Sequence, residues 1–268
     1  MADRVASLSM YDITETAAAT DAWWAGLARH FAVAGVADPP ALLARPGQGE
    51  DFWLRPDLLF SQTCGYPFIT SLTGKVTLLA TPGYDAPGCE GPDYCSLLIV
   101  RADAPWERFR DLDGRCCAVN SADSWSGHHA LRILIAREGG QGPFSCTAFA
   151  SGGHAASIAA VAGGQADFAA IDCVTYATLS RHRPSAVAGI RVLCHTPAMP
   201  GLPLIAGQAA SAADIEAMRQ GLAAAAVDPE LADARAVLGI AEMHFPHAGD
   251  YNRLAVALAE HSEIGALL

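Results

Sequence analysis

The residues most able to do chemistry in this chain are polar side chains in three turns that precede predicted helices. Ser124, Ser126 and Gly127 end the polar stretch NSADSWSG, His154 ends the turn SGGH, and Asp172 follows the apolar strand DFAAI. A helix N-terminus offers unpaired N–H groups and a partial positive charge, both of which suit an anion. Hydroxyl groups and glycine backbone at such a place add donors that can approach a ligand closely. The pattern predicts a seat for an oxyanion.

Each of these residues also has a purely structural interpretation. Ser124 and Ser126 could simply cap the helix that follows. His154 taken alone is typical of a histidine bonded to a backbone carbonyl. Asp172 could be an N-cap, or it could accept a proton from a hydroxyl, an amine or a protonated phosphonate oxygen. Because all of them follow equivalent strand ends, ligand contact is favoured over capping.

Other kinds of site find little support in the sequence. His128 and His129 are adjacent, and neighbours on a helix point about 100° apart, which argues against a shared metal ion. No G-x-S-x-G motif is present to carry a hydrolase triad. The eight cysteines form no C-x-x-C pair and have no zinc-site spacing. We therefore expect no catalytic residue, no metal and no cofactor.

Two cysteines stand in similar surroundings. Cys64 and Cys89 both lie in segments rich in Gly, Pro and Tyr, so they are candidates for a disulfide. Such a bond requires an oxidising compartment. The alternative is that all eight cysteines are reduced and mostly buried thiols.

The elements that must position the polar turns alternate between strand and helix. Predicted strands at Cys116–Asn120, Cys146–Ala150 and Asp167–Ile171 each run into a turn and then a helix, the first of them from Ser126 to Arg137. This alternation is typical of βαβ units in an α/β protein with a parallel sheet. The carboxyl ends of parallel strands share one sheet edge, which is where ligands bind in such folds.

The rest of the chain supplies a second polar set. Tyr11, Gln62, Tyr66 and Tyr94 follow or precede predicted strands in the first hundred residues. Gly35 is expected to end the first long helix. The segment TPGYDAPGC is predicted to be loop, Leu202–Ala206 to be the last strand, and everything after it to be helical.

Composition sets limits on function. The chain has 268 residues, which suits two modest domains, and carries 17 Lys and Arg against 28 Asp and Glu for a net charge of −11. That balance argues against nucleic acid as a partner, and an anionic ligand must be held by local donors against the overall field. No apolar run is long enough for a membrane span. The first residues, MADRVASLSMYD, do not resemble a secretory leader.

The order of motifs resembles the substrate-binding family of phosphate, phosphite and phosphonate ABC transporters. The segments that carry the resemblance are SMYD at 9–12, SQTCGYP at 61–67, ATPGYDAPGC at 80–89, YCSLLIVR at 94–101, DLDGRCCAVNSADSWSG at 111–127, GGHAASIAAVAGGQADFAAID at 152–172 and RVLCHTPAMPGLP at 191–203. The resemblance implies the two-lobed type II periplasmic-binding-protein fold, each lobe with a central mixed sheet flanked by helices. It implies one lobe from 1–97 plus 198–268 and an inserted lobe from 98–197. Strands near Leu98–Arg101 and Val192–Thr196 would form a two-strand hinge, with the ligand between the lobes.

The resemblance also assigns roles to residues. The family's S-x-S-G ligand loop falls on Ser124, Ser126 and Gly127, its ligand-side histidine on His154, and its inner-lobe acid on Asp172. First-lobe tyrosines of the family match Tyr66, Tyr11 and Tyr94. Trp125 stands where related binders carry a small hydroxyl residue, and it would shape the pocket together with the tyrosines. The missing leader is a second departure from a family that is normally exported.

From this resemblance we expect a protein that captures a small phosphonate- or phosphate-like anion for an ABC importer, with the transporter permease as its partner. It would be periplasmic if a leader has been removed and cytoplasmic otherwise. The alternative is a cytosolic protein on the same scaffold. It would be either an enzyme of cofactor-precursor metabolism, of the menaquinone or thiamine-pyrimidine type, or a ligand sensor.

Overall fold

The computed structural model describes residues 4–45, 49–139, 144–261 and 267. The described chain divides into two compact units. Unit one comprises the described residues within Met1–Asp85 and Pro200–Asn252, and unit two those within Ala86–Met199 and Arg253–Leu268. Residues 1–3, part of the first segment considered in the sequence analysis, lie outside the described residues.

Unit one is built on a five-stranded mixed sheet of order β1-β2-β11-β3-β12. Its strands are β1 Val5–Ser7, β2 Leu58–Gln62, β3 Thr77–Tyr84, β11 Leu204–Ala206 and β12 Ile240–His244. β1 and β2 are parallel, whereas β11 runs antiparallel to both β2 and β3. β2 is buried along its whole length, as expected for a strand covered on both faces.

Helices cover the sheet of unit one and close its core. They are α1 Ala17–Ala34, α2 Glu50–Trp53, α3 Gly65–Ile69, α7 Ala212–Val227 and α8 Ala232–Leu238. Trp24 and Phe31 of α1 pack on Phe60 of β2, with ring centroids 5.6 and 5.4 Å from that of Phe60. Gly35 ends α1 in the left-handed conformation at φ 110°, as its position predicts.

Unit two contains a second five-stranded sheet of order β7-β6-β8-β5-β9. Its strands are β5 Ser96–Arg101, β6 Arg115–Val119, β7 Cys146–Ala150, β8 Phe168–Asp172 and β9 Ile190–His195. β6 is parallel to both β7 and β8, which confirms the predicted βαβ units. β5 is antiparallel to β8 and β9, so this sheet is mixed. The two-residue strands β4 Asp93–Tyr94 and β10 Met199–Pro200 form a separate ladder.

The helices of unit two follow its parallel strands. They are α4 Ala130–Gly139, preceded by a π-helical turn over Trp125–His129, then α5 His154–Ala162 and α6 Cys173–His182. α9 Asn252–Glu260 begins at the boundary between the units. Leu131, Leu134 and Ile135 of α4 pack on the sheet against residues such as Val119 and Phe168. Among the described residues, no helix is both long and apolar enough to span a membrane.

Three details correct the expectations from the sequence. β3 continues through Thr81–Tyr84, which the Pro-Gly content assigned to a loop, because β12 pairs with it there and its other neighbour, β11, stops at Ala80. β12 itself was expected to be helical. The predicted hinge strands β5 and β9 both lie inside unit two, where Ile99 pairs with Val192, and not at the points where the chain passes from one unit to the other.

The boundaries of the units also differ from the predicted lobes. Ala86–Leu97 and the described residues from Arg253 onward belong to unit two rather than to the first lobe. The chain therefore passes from one unit to the other three times, after Asp85, Met199 and Asn252. The start of α9 is held to β4 of unit two by an ion pair of 2.7 Å between Arg253 and Asp93.

Candidate functional site

The polar turns predicted to bind a ligand all lie at one edge of the sheet of unit two. β6 ends at Val119, β7 at Ala150 and β8 at Asp172, and the parallel direction of these strands brings the following turns to the same edge. Ser124–Gly127, His154 and Asp172 are therefore gathered there by the topology.

The S-W-S-G segment forms a tight π-helical turn. The Ser124 hydroxyl accepts a hydrogen bond from the N–H of Gly127 at 3.0 Å, so Ser124 is an N-cap. The carbonyl of Ser124 accepts from the N–H of His129, and that of Trp125 from the N–H of Ala130. Single π turns of this kind occur frequently at functional sites.

The side chain of Asn120 leaves no room for a side chain at position 127. A Cβ at Gly127 would lie 2.5 Å from Cγ of Asn120, which fills the space beside the turn. Asn120 is held there because its Oδ1 accepts a hydrogen bond of 3.2 Å from Ser157, whose hydroxyl lies 2.6 Å from that of Ser151. The glycine thus allows the turn to approach Asn120, where the sequence suggested room for a ligand.

Ser126 and His154 contact each other directly. Oγ of Ser126 lies 2.9 Å from Nε2 of His154, and the Ser126 side chain is almost entirely buried. The hydroxyl of Ser96 donates to the carbonyl of Ser126 at 2.9 Å and fixes its backbone. Ser96 is also the register partner of Asp172 in the pairing of β5 with β8.

His154 is neutral in this setting. Burial lowers its pKa to about 3, although the backbone carbonyl of Ala170 acts in the opposite direction. A neutral imidazole either accepts the hydroxyl proton of Ser126 at Nε2 or donates its own proton to Oγ, depending on the tautomer. In both cases the ring holds the hydroxyl of Ser126 in place without adding a positive charge.

His154 also begins α5, whose N-terminus has no side-chain cap. Its N-cap is Gly153 in extended backbone, and no heavy atom would lie within 4 Å of a Cβ at Gly152 or Gly153. Ala155 and Ala156 in the first turn are exposed. The first N–H groups of a helix lack partners within it, so this end of α5 offers open donors. We call Ser126, His154 and the first turn of α5 the anion seat.

Asp172 serves α6 instead. Its Oδ1 accepts hydrogen bonds from the N–H groups of Val174 and Thr175 at 2.8 and 2.9 Å, which makes it the N-cap of α6. The side chain is 2 % exposed. Of the three helix starts at this edge, two are therefore capped by the chain's own Ser124 and Asp172.

Two aromatic residues from the predicted site are buried within unit two. Trp125 is 2 % exposed and its ring lies 6.2 Å from that of His129. Tyr94 in β4 is 3 % exposed. Trp125, which was expected to shape the pocket, is therefore a buried side chain within contact distance of His129.

The remaining predicted residues belong to unit one. Tyr11 and Gln62 meet through Tyr84, because the rings of Tyr11 and Tyr84 lie 5.2 Å apart and Nε2 of Gln62 donates to the Tyr84 hydroxyl at 3.2 Å. Gln62 also donates to the carbonyl of Leu202. Tyr66 is half-buried in α3.

The Cys64–Cys89 disulfide that the sequence suggested is not present in the structure. All eight cysteines lie in the described residues and none is joined to another. Cys64 belongs to unit one and Cys89 to unit two, where its sulfur lies 3.5 Å from that of Cys173. Within the part of the chain that the structure describes, no group of three or more His, Cys, Asp or Glu side chains is arranged to hold a metal ion.

Three residues that position the anion seat were not singled out from the sequence. Ser96 was hidden in an apolar strand, while Asn120 and Ser157 lie on different elements from the turn they support. Asn120 stands at the end of β6, and a polar residue at that point is the only signal that would have identified it.

Comparison with known proteins gives one family. The family model for periplasmic substrate-binding proteins of phosphonate ABC transporters matches residues 55–251. No curated protein sequence gives a significant match.

Several solved structures are similar to the chain. The binding-protein component of an ABC phosphonate transporter from Pseudomonas aeruginosa has a TM-score of 0.76, with 15 % identity over 97 % of this chain and 87 % of that one. XAC2383 from Xanthomonas citri, bound to chloride, gives 0.73 with 17 % identity over 97 % and 98 %. PhnD1 from Prochlorococcus marinus, in complex with methylphosphonate, gives 0.71 with 12 % identity over 97 % and 98 %. At these identities the similarity shows the fold.

Proposed function

The chain belongs to the periplasmic substrate-binding proteins of phosphonate ABC transporters, and we propose that it captures its oxyanion, a small phosphonate- or phosphate-like compound, at the anion seat of unit two. The observation that carries this proposal is the contact of Ser126 with His154 beside the uncapped start of α5. A hydroxyl fixed by a neutral ring and a row of open backbone donors together suit the oxygens of a tetrahedral anion.

Charge considerations support local dipoles as the source of binding. The chain carries a net charge of −11, so its overall field repels an anion. The neutral His154 adds no charge to the seat, and the positive end of α5 must compensate. Hydrogen bonds to an ionised acceptor are shorter and stronger than neutral ones, which gives the few donors of the seat enough strength.

The same geometry raises the question of catalysis. A serine hydroxyl within hydrogen-bond distance of a histidine is the arrangement of an activated nucleophile. The pKa of His154 near 3 makes it a weak base at neutral pH, however, and efficient general bases have a pKa near the working pH. The pair therefore suits binding better than proton abstraction.

Family membership supports two further parts of the proposal. We expect the chain to work in the periplasm and to deliver its ligand to the permease of an ABC importer. The related structure from Prochlorococcus marinus contains methylphosphonate, which makes that compound a sensible first ligand to test.

A ligand screen tests the proposal. Melting curves would be recorded with methylphosphonate, phosphite and phosphate, with sulfate and acetate as control anions. A ligand at 100 times its Kd adds about 2.7 kcal/mol to the free energy of unfolding, which raises the melting temperature by several degrees. Titration calorimetry would then give the stoichiometry, expected to be one. Equal shifts with every anion, or none with any phosphorus oxyanion, would contradict the proposed ligand class.

A further inference from the structure

A second cluster of reactive side chains in unit two takes no part in the anion seat. Sγ of Cys89 lies 3.5 Å from Sγ of Cys173. A Cβ on Gly88 would lie 2.6 Å from Sγ of Cys95 and 3.5 Å from Sγ of Cys173, so these two sulfurs face the same glycine. Three thiols from three separate segments of the chain therefore converge at one place.

A tight turn brings Cys89 to this place. The N–H of Cys89 donates to the carbonyl of Ala86 at 3.0 Å, and Gly88 has φ 100°. Pro87 followed by a glycine with positive φ is typical of a type II turn. Any side chain at Gly88 would collide with Cys95, so the sequence APGC allows the turn to lie against the buried thiols.

The partner thiol is held by regular structure. Cys173 is the first residue of α6, it is 0 % exposed, and its N–H donates to the carbonyl of Cys95 at 3.1 Å. Cys89 is half-buried, whereas Cys95 and Cys173 are buried. Of these three residues Cys89 is the one that is partly exposed, so it is the expected point of attack for a reagent from solvent.

We propose that Cys89 and Cys173 are a redox-active pair that closes to a disulfide on contact with a small-molecule disulfide oxidant. A disulfide has an S–S distance of about 2.05 Å, so the two sulfurs must approach by about 1.5 Å. The turn at Ala86–Cys89 can supply that movement, because Cys173 is fixed in α6. The site goes beyond ligand capture and does not depend on it.

The reaction proceeds in two exchange steps. The thiolate of Cys89 attacks one sulfur of oxidised glutathione, which forms a mixed disulfide and releases one glutathione thiolate. The thiolate of Cys173 then attacks Sγ of Cys89 and displaces the second glutathione thiolate. The protein loses two protons and two electrons, and one oxidised glutathione becomes two molecules of the reduced form.

The surroundings of Cys173 affect the rate of the second step. The hydrogen bond with Cys89 raises the pKa of the Cys173 thiol, the Cys95 thiol acts in the opposite direction, and burial raises the pKa further. Because the thiolate is the attacking species, the second step should accelerate as pH rises.

A disulfide here would tie the turn to residues that adjoin Asp172 and Ser96. Cys173 follows Asp172, the cap of α6, and Cys95 precedes Ser96, whose hydroxyl holds the carbonyl of Ser126. The bond would also link positions 84 residues apart in the sequence.

Peptide mapping tests the pair. The fully reduced chain would be incubated with oxidised glutathione, alkylated and digested without reduction. We expect a linked peptide pair containing Cys89 and Cys173, and two alkylated thiols fewer than the eight of the reduced chain. A link between Cys95 and Cys173, or a glutathione adduct that persists on Cys89, would overturn the proposal.

Single variants separate the two steps. In Cys173→Ser the adduct on Cys89 should form and remain, and in Cys89→Ser no adduct should form on Cys173. Cys95→Ser is the matched control, since it alters the same cluster and should leave the Cys89–Cys173 link unchanged. Loss of the Cys89–Cys173 link in Cys95→Ser, or a glutathione adduct on Cys173 in Cys89→Ser, would contradict the assignment. If a variant does not fold, the map of the unmodified chain decides alone.

Discussion

The hydroxyl of Ser126 and the ring of His154 lie 2.9 Å apart, although 28 residues separate them in the sequence. The contact exists because β6 and β7 are parallel neighbours, which brings the turn after each strand to the same sheet edge. Ser126 enters from the π-helical turn and His154 from the start of α5. The pair places a fixed hydroxyl beside an uncapped helix N-terminus.

Replacing Ser126 tests the hydroxyl. We expect Ser126→Ala to weaken binding of methylphosphonate by roughly 10- to 100-fold, because a hydrogen bond to a charged partner contributes about 1.5–3 kcal/mol. Titration calorimetry would measure the change in Kd. Ser185→Ala is the control, since Ser185 is an exposed serine of the same unit. Equal affinity of Ser126→Ala and the parent would place the oxyanion elsewhere.

A comparison of two glycines tests the open space at α5. A Cβ at Gly153 meets no heavy atom within 4 Å, and this residue has extended backbone, so Gly153→Ala should leave the melting temperature nearly unchanged. It should nevertheless weaken anion binding, because the new methyl group stands beside the open N–H groups. Gly127→Ala should instead lower the melting temperature, since its Cβ would lie 2.5 Å from Cγ of Asn120. Unchanged affinity in Gly153→Ala would show that the ligand does not reach α5.

Asp172 allows capping to be separated from ligand contact. Asp172→Ala removes the acceptor for the N–H groups of Val174 and Thr175 and should lower the free energy of unfolding by about 1–2 kcal/mol. Asp172→Asn keeps an acceptor oxygen and should cost less. Urea unfolding measures both values. A large loss of affinity in Asp172→Asn with intact stability would indicate that the carboxylate contacts the ligand.

The low pKa of His154 predicts a dependence of stability on pH. Its pKa is about 3 in the folded protein and about 6.5 in the unfolded chain, so the unfolded chain binds a proton in this window that the folded one does not. The free energy of unfolding therefore falls as pH drops below 6.5, by up to about 1.4 kcal/mol per pH unit from this group.

His154→Gln should reduce that slope between pH 6.5 and pH 4.5, measured by urea unfolding at several pH values. His195→Gln, at an exposed position, serves as the control. His128 and His129 also have lowered pKa values, chiefly through burial, so part of the slope should remain. A slope identical to that of the parent would mean that His154 is protonated in the folded chain.

Much of unit two could be predicted from the sequence because its signals are local. The strand Cys146–Ala150 was predicted with its observed ends, and the cap positions of Ser124 and Asp172 follow from the polar residue that precedes each helix. The juxtaposition of Ser126 and His154 also followed, because it requires only that two strands be parallel and adjacent.

What the sequence could not provide depends on long-range partners. Pro82 and Gly83 lie in a strand because Met243 and Glu242 pair with them from the far end of the chain. The contact of Cys89 with Cys173 likewise depends on packing, and the first choice of partner, Cys64, rested on local composition. The role of Gly127 became clear only from the position of Asn120.

A crystal structure of the chain with bound methylphosphonate would test the central claim most directly. The account predicts that one phosphonate oxygen lies within hydrogen-bond distance of Oγ of Ser126, and that another accepts from backbone N–H groups in the first turn of α5. A complex in which the phosphonate group lies away from both would contradict it.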